Sequence, residues 1–380
     1  MIVGFDATTL HGEMSGVGYY TARLMESLAN GAGDGVIERL VVLSHREVPA
    51  PNGRPVQVYG RHRFRVRLVW MQLVLPWILR RLKPDLVHFT NYLAPLAGGA
   101  PYLVSFHDMT LSLFPECHPL QRRLVGSTLL PRVARGARLV LVPSQSTRRD
   151  VVRLLGVEPA RVRVIPYAAS PRFRPTQDGP ERLDSAYGVR RPYFLYVGTL
   201  EPRKNLSRAL RAFARVVPSL PDHCFVLVGQ RGWKYQEVLR EAERPELSGR
   251  VRFLGYVPEN DLPLFYRHAT ALVYPSLYEG FGLPVVEAMA CGTPVLTSRS
   301  SSLTEISDGA ALLVDPYDET AISTGLLALA TDPALRADLA ARGVARAATY
   351  SWERTGRETA AAYREIHVPP DPPHAERRDT

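Results

Sequence analysis

A chain of 380 residues exceeds what one ordinary hydrophobic core supports and fits two domains. Its 46% hydrophobic and 22% charged residues exclude a disordered chain, and its three cysteines (Cys117, Cys224, Cys291), odd in number and without CxxC spacing, exclude a disulfide framework or a zinc site. The net charge of +10 favours anionic partners such as nucleotide phosphates or lipid head groups, while no nucleic-acid recognition signature accompanies it.

The chain opens on Met1-Ile-Val-Gly-Phe-Asp6, which reads as a first strand and not as a basic, then apolar secretory leader. With reduced thiols, this points to a cytoplasmic protein. Gly12-Glu-Met-Ser-Gly-Val-Gly18 then leads into a helix predicted over Gly18–Ala29, and as a lone glycine loop its plainest reading is a tight turn. Arg61, Arg63, Arg65 and Arg67 alternate with His62, Phe64 and Val66 ahead of Trp70 and Trp77. That run suits peripheral contact with the anionic inner face of a membrane. A solvated basic face leading into a core-packed helix is the favoured alternative. The most apolar stretch, Leu68–Leu79, contains Gln72 and Pro76 and falls short of the roughly 20 apolar residues that span a bilayer.

Strands are predicted at Ile2–Phe5, Leu40–Leu43, Leu86–Phe89, Tyr102–Phe106, Leu139–Val142 and Val162–Ile165, with helices between them such as Ser146–Leu155. A Pro-rich polar stretch, Ser170–Pro180, marks an interdomain linker over 171–187. Strands then resume at Tyr193–Val197, Phe225–Val228, Val251–Phe253, Ala271–Tyr274 and Val295–Thr297, again alternating with helices. A last helix follows at Trp352–Ile366, within 351–367, and a disordered tail is expected over 368–380. Continuously apolar strands separated by helices imply parallel sheets covered on both faces. The expected fold is therefore α/β, with two doubly wound Rossmann-like domains, 1–170 and 188–350, whose strand-end loops face an interdomain cleft. The last helix is expected to pack back towards the N-terminal domain.

The chemistry concentrates in strand-end loops. Tyr274-Pro-Ser-Leu-Tyr-Glu-Gly-Phe-Gly-Leu-Pro-Val-Val-Glu-Ala-Met-Ala-Cys-Gly-Thr-Pro294 leaves a strand, passes Glu279-Gly280-Phe281-Gly282 and enters a helix near Pro284. Gly292 sits where a helix C-cap glycine belongs. Gly280 and Gly282 allow close backbone approach, and the following helix N-terminus suits a phosphate. Glu279 and Glu287 either face one ligand or serve as a loop charge and a helix-dipole complement.

The segment closely resembles the signature of glycosyltransferase family 4. The resemblance implies that Glu279 lies by the transferred sugar, that Glu287 binds the donor ribose, and that backbone amides around Phe281–Leu283 reach sugar or diphosphate. Tyr196-Val-Gly-Thr-Leu-Glu-Pro-Arg-Lys-Asn205 resembles the family's diphosphate loop. Lys204 matches its lysine, whereas Thr199, after Gly198, stands where an arginine is expected, so Arg203 is the substitute considered. This variant of the loop is similar to that of a mannosyltransferase-like branch. Tyr102-Leu-Val-Ser-Phe-His-Asp108 resembles the strand end that places a histidine, here His107, beside the sugar. The loop bearing Gly16 and Gly18 aligns with one near the diphosphate or acceptor, and Ser144 aligns with a family serine. His88, in Val87-His-Phe-Thr-Asn91, reads as structural.

The resemblance implies a GT-B fold and a retaining hexosyltransferase, mannose favoured, acting on a polysaccharide or lipid-linked acceptor hydroxyl. The expected donor is a nucleotide-sugar, GDP-mannose ahead of a UDP-sugar, with no cofactor and no metal site. The competing classes are a sugar-nucleotide epimerase of the same architecture, a pyridoxal-dependent phosphorylase, and a non-catalytic sugar-nucleotide binding protein.

Overall fold

The computed structural model describes residues 1–11, 14, 16–48, 58–59, 66–176 and 179–367. Its first seven strands are β1 (Ile2–Asp6), β2 (Arg39–Leu43), β3 (Val58–Tyr59), β4 (Leu86–Phe89), β5 (Tyr102–Ser105), β6 (Leu139–Val142) and β7 (Val162–Val164). They form one sheet in the order β3-β2-β1-β4-β5-β6-β7. The next six are β8 (Tyr193–Val197), β9 (Cys224–Val228), β10 (Val251–Gly255), β11 (Ala271–Tyr274), β12 (Val295–Ser298) and β13 (Leu312–Val314), in the order β10-β9-β8-β11-β12-β13. Neighbouring strands run parallel, as in β1 on β4 and β8 on β11. Both sheets are Rossmann-like, as the apolar runs predict. β4 and β11 are buried along their whole length, which two-sided helix cover requires.

In each sheet the strand order reverses once, between β1 and β4 and between β8 and β11. Ligands of open parallel sheets bind outside the carboxyl ends of strands at that reversal. The loops after β8 and β11 are therefore the ones to inspect in the second sheet.

Contacts group the chain into two compact units. One contains Met1–Ser105, Gly136–Val140 and the chain from Gly356, and the other Phe106–Arg135 and Leu141–Thr355. In the first unit His88 is fully buried. Its Nδ1 lies 2.7 Å from the Tyr363 hydroxyl and its Nε2 2.8 Å from Ser105 Oγ, so it is a satisfied core histidine. Within the second unit, the latter part of the expected linker forms a helix, Glu181–Tyr187. The Tyr187 ring packs edge-on against Phe265 at 4.9 Å.

The apolar stretch beginning at Arg67 splits into helices Arg67–Leu73 and Leu75–Leu82. Pro76 occupies the first turn of the second helix, where its missing N–H costs nothing, and it bars one continuous helix. Trp70 is fully buried while Trp77 is 54% exposed, so the core-packed reading holds for the first tryptophan and not the second. Among the described residues no helix is long and apolar enough to cross a membrane. Arg61, Arg63, Arg65 and the tail 368–380 lie outside the described residues.

Candidate functional site

The loop after β8 turns through a short 3-10 segment, Pro202–Lys204, and reaches helix Leu206–Val216 by way of Asn205 at φ 60°. Asn205 holds that strained turn by donating its side-chain amide to the carbonyls of Pro275 and Pro316, at 3.0 and 2.7 Å. The turn brings Arg203 and Lys204 inward, where both are buried beside Glu279 from the loop after β11. Lys204 Nζ donates to Glu279 Oε1 at 2.6 Å and to the Tyr274 hydroxyl at 2.7 Å. Arg203 Nη1 lies 2.7 Å from Glu279 Oε2 and donates to the Tyr278 carbonyl at 2.6 Å, while its Nη2 donates to Glu201 Oε1 at 2.5 Å. Arg203 Nε has no partner among the described residues.

Two cations and two carboxylates thus share one buried volume, with a formal charge of zero. Burial on its own would raise the Glu279 carboxyl, but Arg203 and then Lys204 outweigh it and hold the group down to about 2. Lys204 is lowered from its ordinary value, first by burial and then by the Arg203 charge, against the pull of Glu279 and Glu201.

The rest of the loop is fastened by its backbone. Ser301 Oγ accepts the Glu279 N–H at 3.0 Å, and Ser302 Oγ lies 2.8 and 2.9 Å from the carbonyls of Glu279 and Phe281. Ser144 Oγ donates to the Gly280 carbonyl at 2.7 Å, so this serine anchors the loop. A Cβ on Gly280 would fall 1.7 Å from the His107 carbonyl oxygen, which makes glycine obligatory there. Gly282, at φ 106°, turns the chain into helix Leu283–Ala290. The amides of Gly280, Phe281, Gly282 and Leu283 make no hydrogen bond among the described residues, which leaves four donors at a helix start.

The helix begins at Leu283, so Glu287 lies beyond its first turn and does not complement the dipole. Glu287 instead accepts a hydrogen bond from the Tyr266 hydroxyl at 2.8 Å. Burial pushes its carboxyl up to about 8, a rise that the Tyr266 bond moderates and the Glu259 charge reinforces. Gly292, at φ 74°, follows the helix as expected, with Gly292 N–H bonded to Met289 and Thr293 N–H to Ala288 at 3.0 and 2.9 Å.

The other sequence candidates spread over both units. His107 is half-buried, with Nδ1 2.7 Å from the Tyr167 hydroxyl, whose ring in turn packs on Phe281 at 5.1 Å. Gly198, at φ 148°, gives its N–H to Val228, and the Thr199 carbonyl accepts from Tyr196 at 3.0 Å. Thr199 carries no charge for a diphosphate, and the buried cations of its loop are Arg203 and Lys204. Gly16 and Gly18 belong to the first unit, where they open helix Gly16–Ser27. Gly16 is exposed, and Gly18 packs against Met14 and Thr9. Among the described residues no three His, Cys, Asp or Glu side chains group as metal ligands.

Three buried or partly buried groups beside the site escape a motif reading. Glu201 neutralises Arg203, and Tyr266 sets the state of Glu287. His118 is buried with both ring nitrogens unpartnered among the described residues, and its ring lies 5.5 Å from that of Trp233. Burial lowers this imidazole while Glu201 and Asp108 act the other way. Glu201 lies inside the loop that carries Arg203 and Lys204, whereas Tyr266 and the lone His118 have no local sequence signal.

Glu279→Gln would leave two buried cations facing Glu201 alone, and breaking a buried pair costs about 3 kcal/mol or more. Denaturant unfolding at pH 7 should register that loss. Because the folded carboxyl titrates near 2, below the unfolded value of about 4.3, the stabilisation is present above pH ~4.3 and drains away as pH falls towards 2. A variant as stable as wild type at pH 7, with the same acid slope, would contradict this account.

Comparison with known proteins bears on the family and the fold. Residues 14–172 match the family model "Glycosyltransferase Family 4" and residues 182–346 match "Glycosyl transferases group 1". The O-antigen chain mannosyltransferase B of Escherichia coli is 35% identical over 294 residues, 76% of each chain. Among solved structures, sucrose-phosphate synthase from Thermosynechococcus elongatus superposes with a TM-score of 0.76 at 21% identity, covering 96% of this chain and 98% of that one. Anabaena HepE in complex with UDP-glucose does so at 0.75 and 19%, covering 96% and 99%. These structural likenesses bear on the fold, and the sequence matches carry the rest: the chain is a glycosyltransferase of family 4 with the GT-B fold.

Proposed function

We propose that this glycosyltransferase moves mannose from GDP-mannose to a glycan hydroxyl with retention of anomeric configuration. The observation that carries the reading is the buried Arg203–Lys204–Glu279 cluster beside four backbone amides, at the start of helix Leu283–Ala290, that make no hydrogen bond among the described residues. A nucleotide-sugar donor suits it because a diphosphate is a dense anion, and preorganised cations and amides stabilise such a leaving group without reorganising. The Anabaena relative of similar fold was solved with UDP-glucose. The mannosyl choice rests on the E. coli mannosyltransferase, and that relative, an O-antigen enzyme, also favours polysaccharide synthesis as the setting.

In this mechanism the bond between the sugar's anomeric carbon and the diphosphate oxygen breaks as Lys204 and Arg203 take up the developing charge. The acceptor oxygen then bonds to the same face of the anomeric carbon, and its proton passes to an oxygen of the departing diphosphate. Glu279, ionised far below neutrality, supports the positive charge on the sugar ring, and His107 sits beside the ring. Glu287 accepts the ribose hydroxyls. A sugar-nucleotide epimerase of this architecture would need an acid and base pair at the sugar that these residues do not supply. A phosphorylase would need a pyridoxal lysine, and Lys204 is already held by Glu279 and Tyr274.

The helix pair Arg67–Leu73 and Leu75–Leu82 favours peripheral contact with a bilayer. Val69, Leu73 and Trp77 are 42, 72 and 54% exposed, and Arg81 stacks over the Trp77 ring at 4.6 Å. An apolar face beside arginines suits an anionic surface.

Three tests follow from this reading. Lys204→Ala should lower kcat for mannosyl transfer from GDP-mannose by about a hundredfold or more, on the scale of one lost electrostatic donor; unchanged turnover would refute the assignment. The donor KM should fall as pH rises through about 8 and Glu287 ionises, and Glu287→Gln should flatten that profile; a wild-type profile without inflection would count against the ribose role. Co-sedimentation with anionic vesicles should occur at low salt and weaken in Trp77→Ser, and no binding at low salt would sink the membrane contact.

A further inference from the structure

Four side-chain nitrogens at one corner of the first unit lack a hydrogen-bond partner among the described residues: Nδ1 of His11, Nδ1 of His45, Nε of Arg67 and Nε1 of Trp70. His11 follows β1, His45 follows β2, and Arg67 and Trp70 stand one turn apart on helix Arg67–Leu73. The two imidazoles meet edge to face with centroids 5.1 Å apart, and His45 leans on the Trp70 indole at 5.9 Å. His45 is 2% exposed and Trp70 is fully buried. A bare buried polar group costs about 1–3 kcal/mol, and four in one place are too many to treat as incidental. His11 and His45 also follow the carboxyl ends of β1 and β2, the side on which parallel sheets bind ligands.

The chemistry of the four atoms defines what they could bind. An indole N–H and a guanidinium Nε–H can only donate, and each imidazole donates at both nitrogens once protonated. A ligand that pairs with Arg67 Nε and Trp70 Nε1 therefore carries acceptor oxygens, and a neutral imidazole can also donate to it from Nδ1. Charge points the same way. Burial first, then Arg46 and Arg67, lowers His11, and burial first, then His11, Arg46 and Arg67, takes His45 down to about 4. The carboxylate of the cluster, Asp6, is already engaged. Its Oδ2 accepts from Arg67 at 3.2 Å, and its Oδ1 accepts the Thr8 N–H and hydroxyl at 2.9 and 2.6 Å. An incoming anion would pair with the donors and offset the Arg46 and Arg67 charges that help hold both imidazoles down.

We propose that His11, His45, Arg67 and Trp70 form an anion subsite that takes a phosphoryl group carried by the acceptor. A phosphoryl group offers three charged oxygens to donors supplied by three separate segments, which a planar carboxylate matches less well. The anion site stands on the cluster alone, whereas its assignment to the acceptor rests on the transferase reading above.

Histidine NMR on the full chain, with imidazole signals assigned by His11→Gln and His45→Gln, tests the site by titration with inorganic phosphate. Both imidazoles are expected to respond at millimolar phosphate and to titrate at higher pH when phosphate is bound. Arg67→Gln and the shape-conserving Trp70→Phe should each weaken the response about tenfold, the scale of one lost charge-assisted bond. In transfer assays with a phosphorylated acceptor, Arg67→Gln should raise the acceptor KM and leave the donor KM unmoved. Imidazoles indifferent to phosphate, or unaltered binding in both variants, would overturn the site, and an equal response to acetate would overturn the phosphoryl class. A phosphate response in a protein that turns over no nucleotide-sugar would leave the anion site standing and remove its acceptor role.

Discussion

Arg203 and Lys204 are both carried out of water, and both close on one carboxylate, Glu279, at 2.7 and 2.6 Å. Taking an ion out of water costs several kcal/mol even after the protein relaxes, so neither cation could be buried without the other residues of the cluster. Glu279 can meet them only because Gly280 passes within contact of the His107 backbone and Ser301 and Ser302 hold the loop from below. Asn205 performs the matching task on the other side, tying the loop after β8 to Pro275 and Pro316. The ion cluster and the loop shapes therefore depend on one another.

That dependence also explains the division of labour between the two glutamates. Glu279 is flanked by cations that hold its carboxyl down to about 2, so it is ionised at neutral pH. Glu287 has a tyrosine hydroxyl for a partner and another carboxylate, Glu259, within reach, so burial dominates and its proton is retained to about pH 8. Two carboxylates eight positions apart in sequence thus occupy opposite protonation states at neutrality, because both are buried and only Glu279 has cations beside it.

Much of this was legible in the sequence, for physical reasons that differ by feature. The buried strands of both sheets are continuous apolar runs, and β4, β6, β8 and β11 begin and end where those runs do. β3 and β13 escape notice because two or three residues are too few to show a period. Glu279 and Lys204 are picked out by the resemblance of their loops to the family's motifs, and the two loops do bring them together. The link from Arg203 to Glu201 and Glu279, by contrast, depends on side chains brought together across strands, and no local pattern encodes it. The dipole reading of Glu287 failed because Gly282, and not Pro284, governs where the helix starts. His11, His45 and Trp70 are scattered over 60 positions and become a cluster only once β1 and β2 are paired.

The low value of Glu279 constrains where the acceptor's proton can go. A carboxylate that titrates near 2 is a poor base at neutral pH, and protonating it would also strip Arg203 and Lys204 of their shared counterion. Lys204 Nζ is already engaged as a donor to Glu279 Oε1 and the Tyr274 hydroxyl, so it is not placed to take the proton. The oxygens of the departing diphosphate gain basicity as the glycosidic bond breaks, at the moment a proton must be received, and they would lie among the same cations. In the proposed transfer the protein's part is then to fix charges in place, and the leaving group serves as the base.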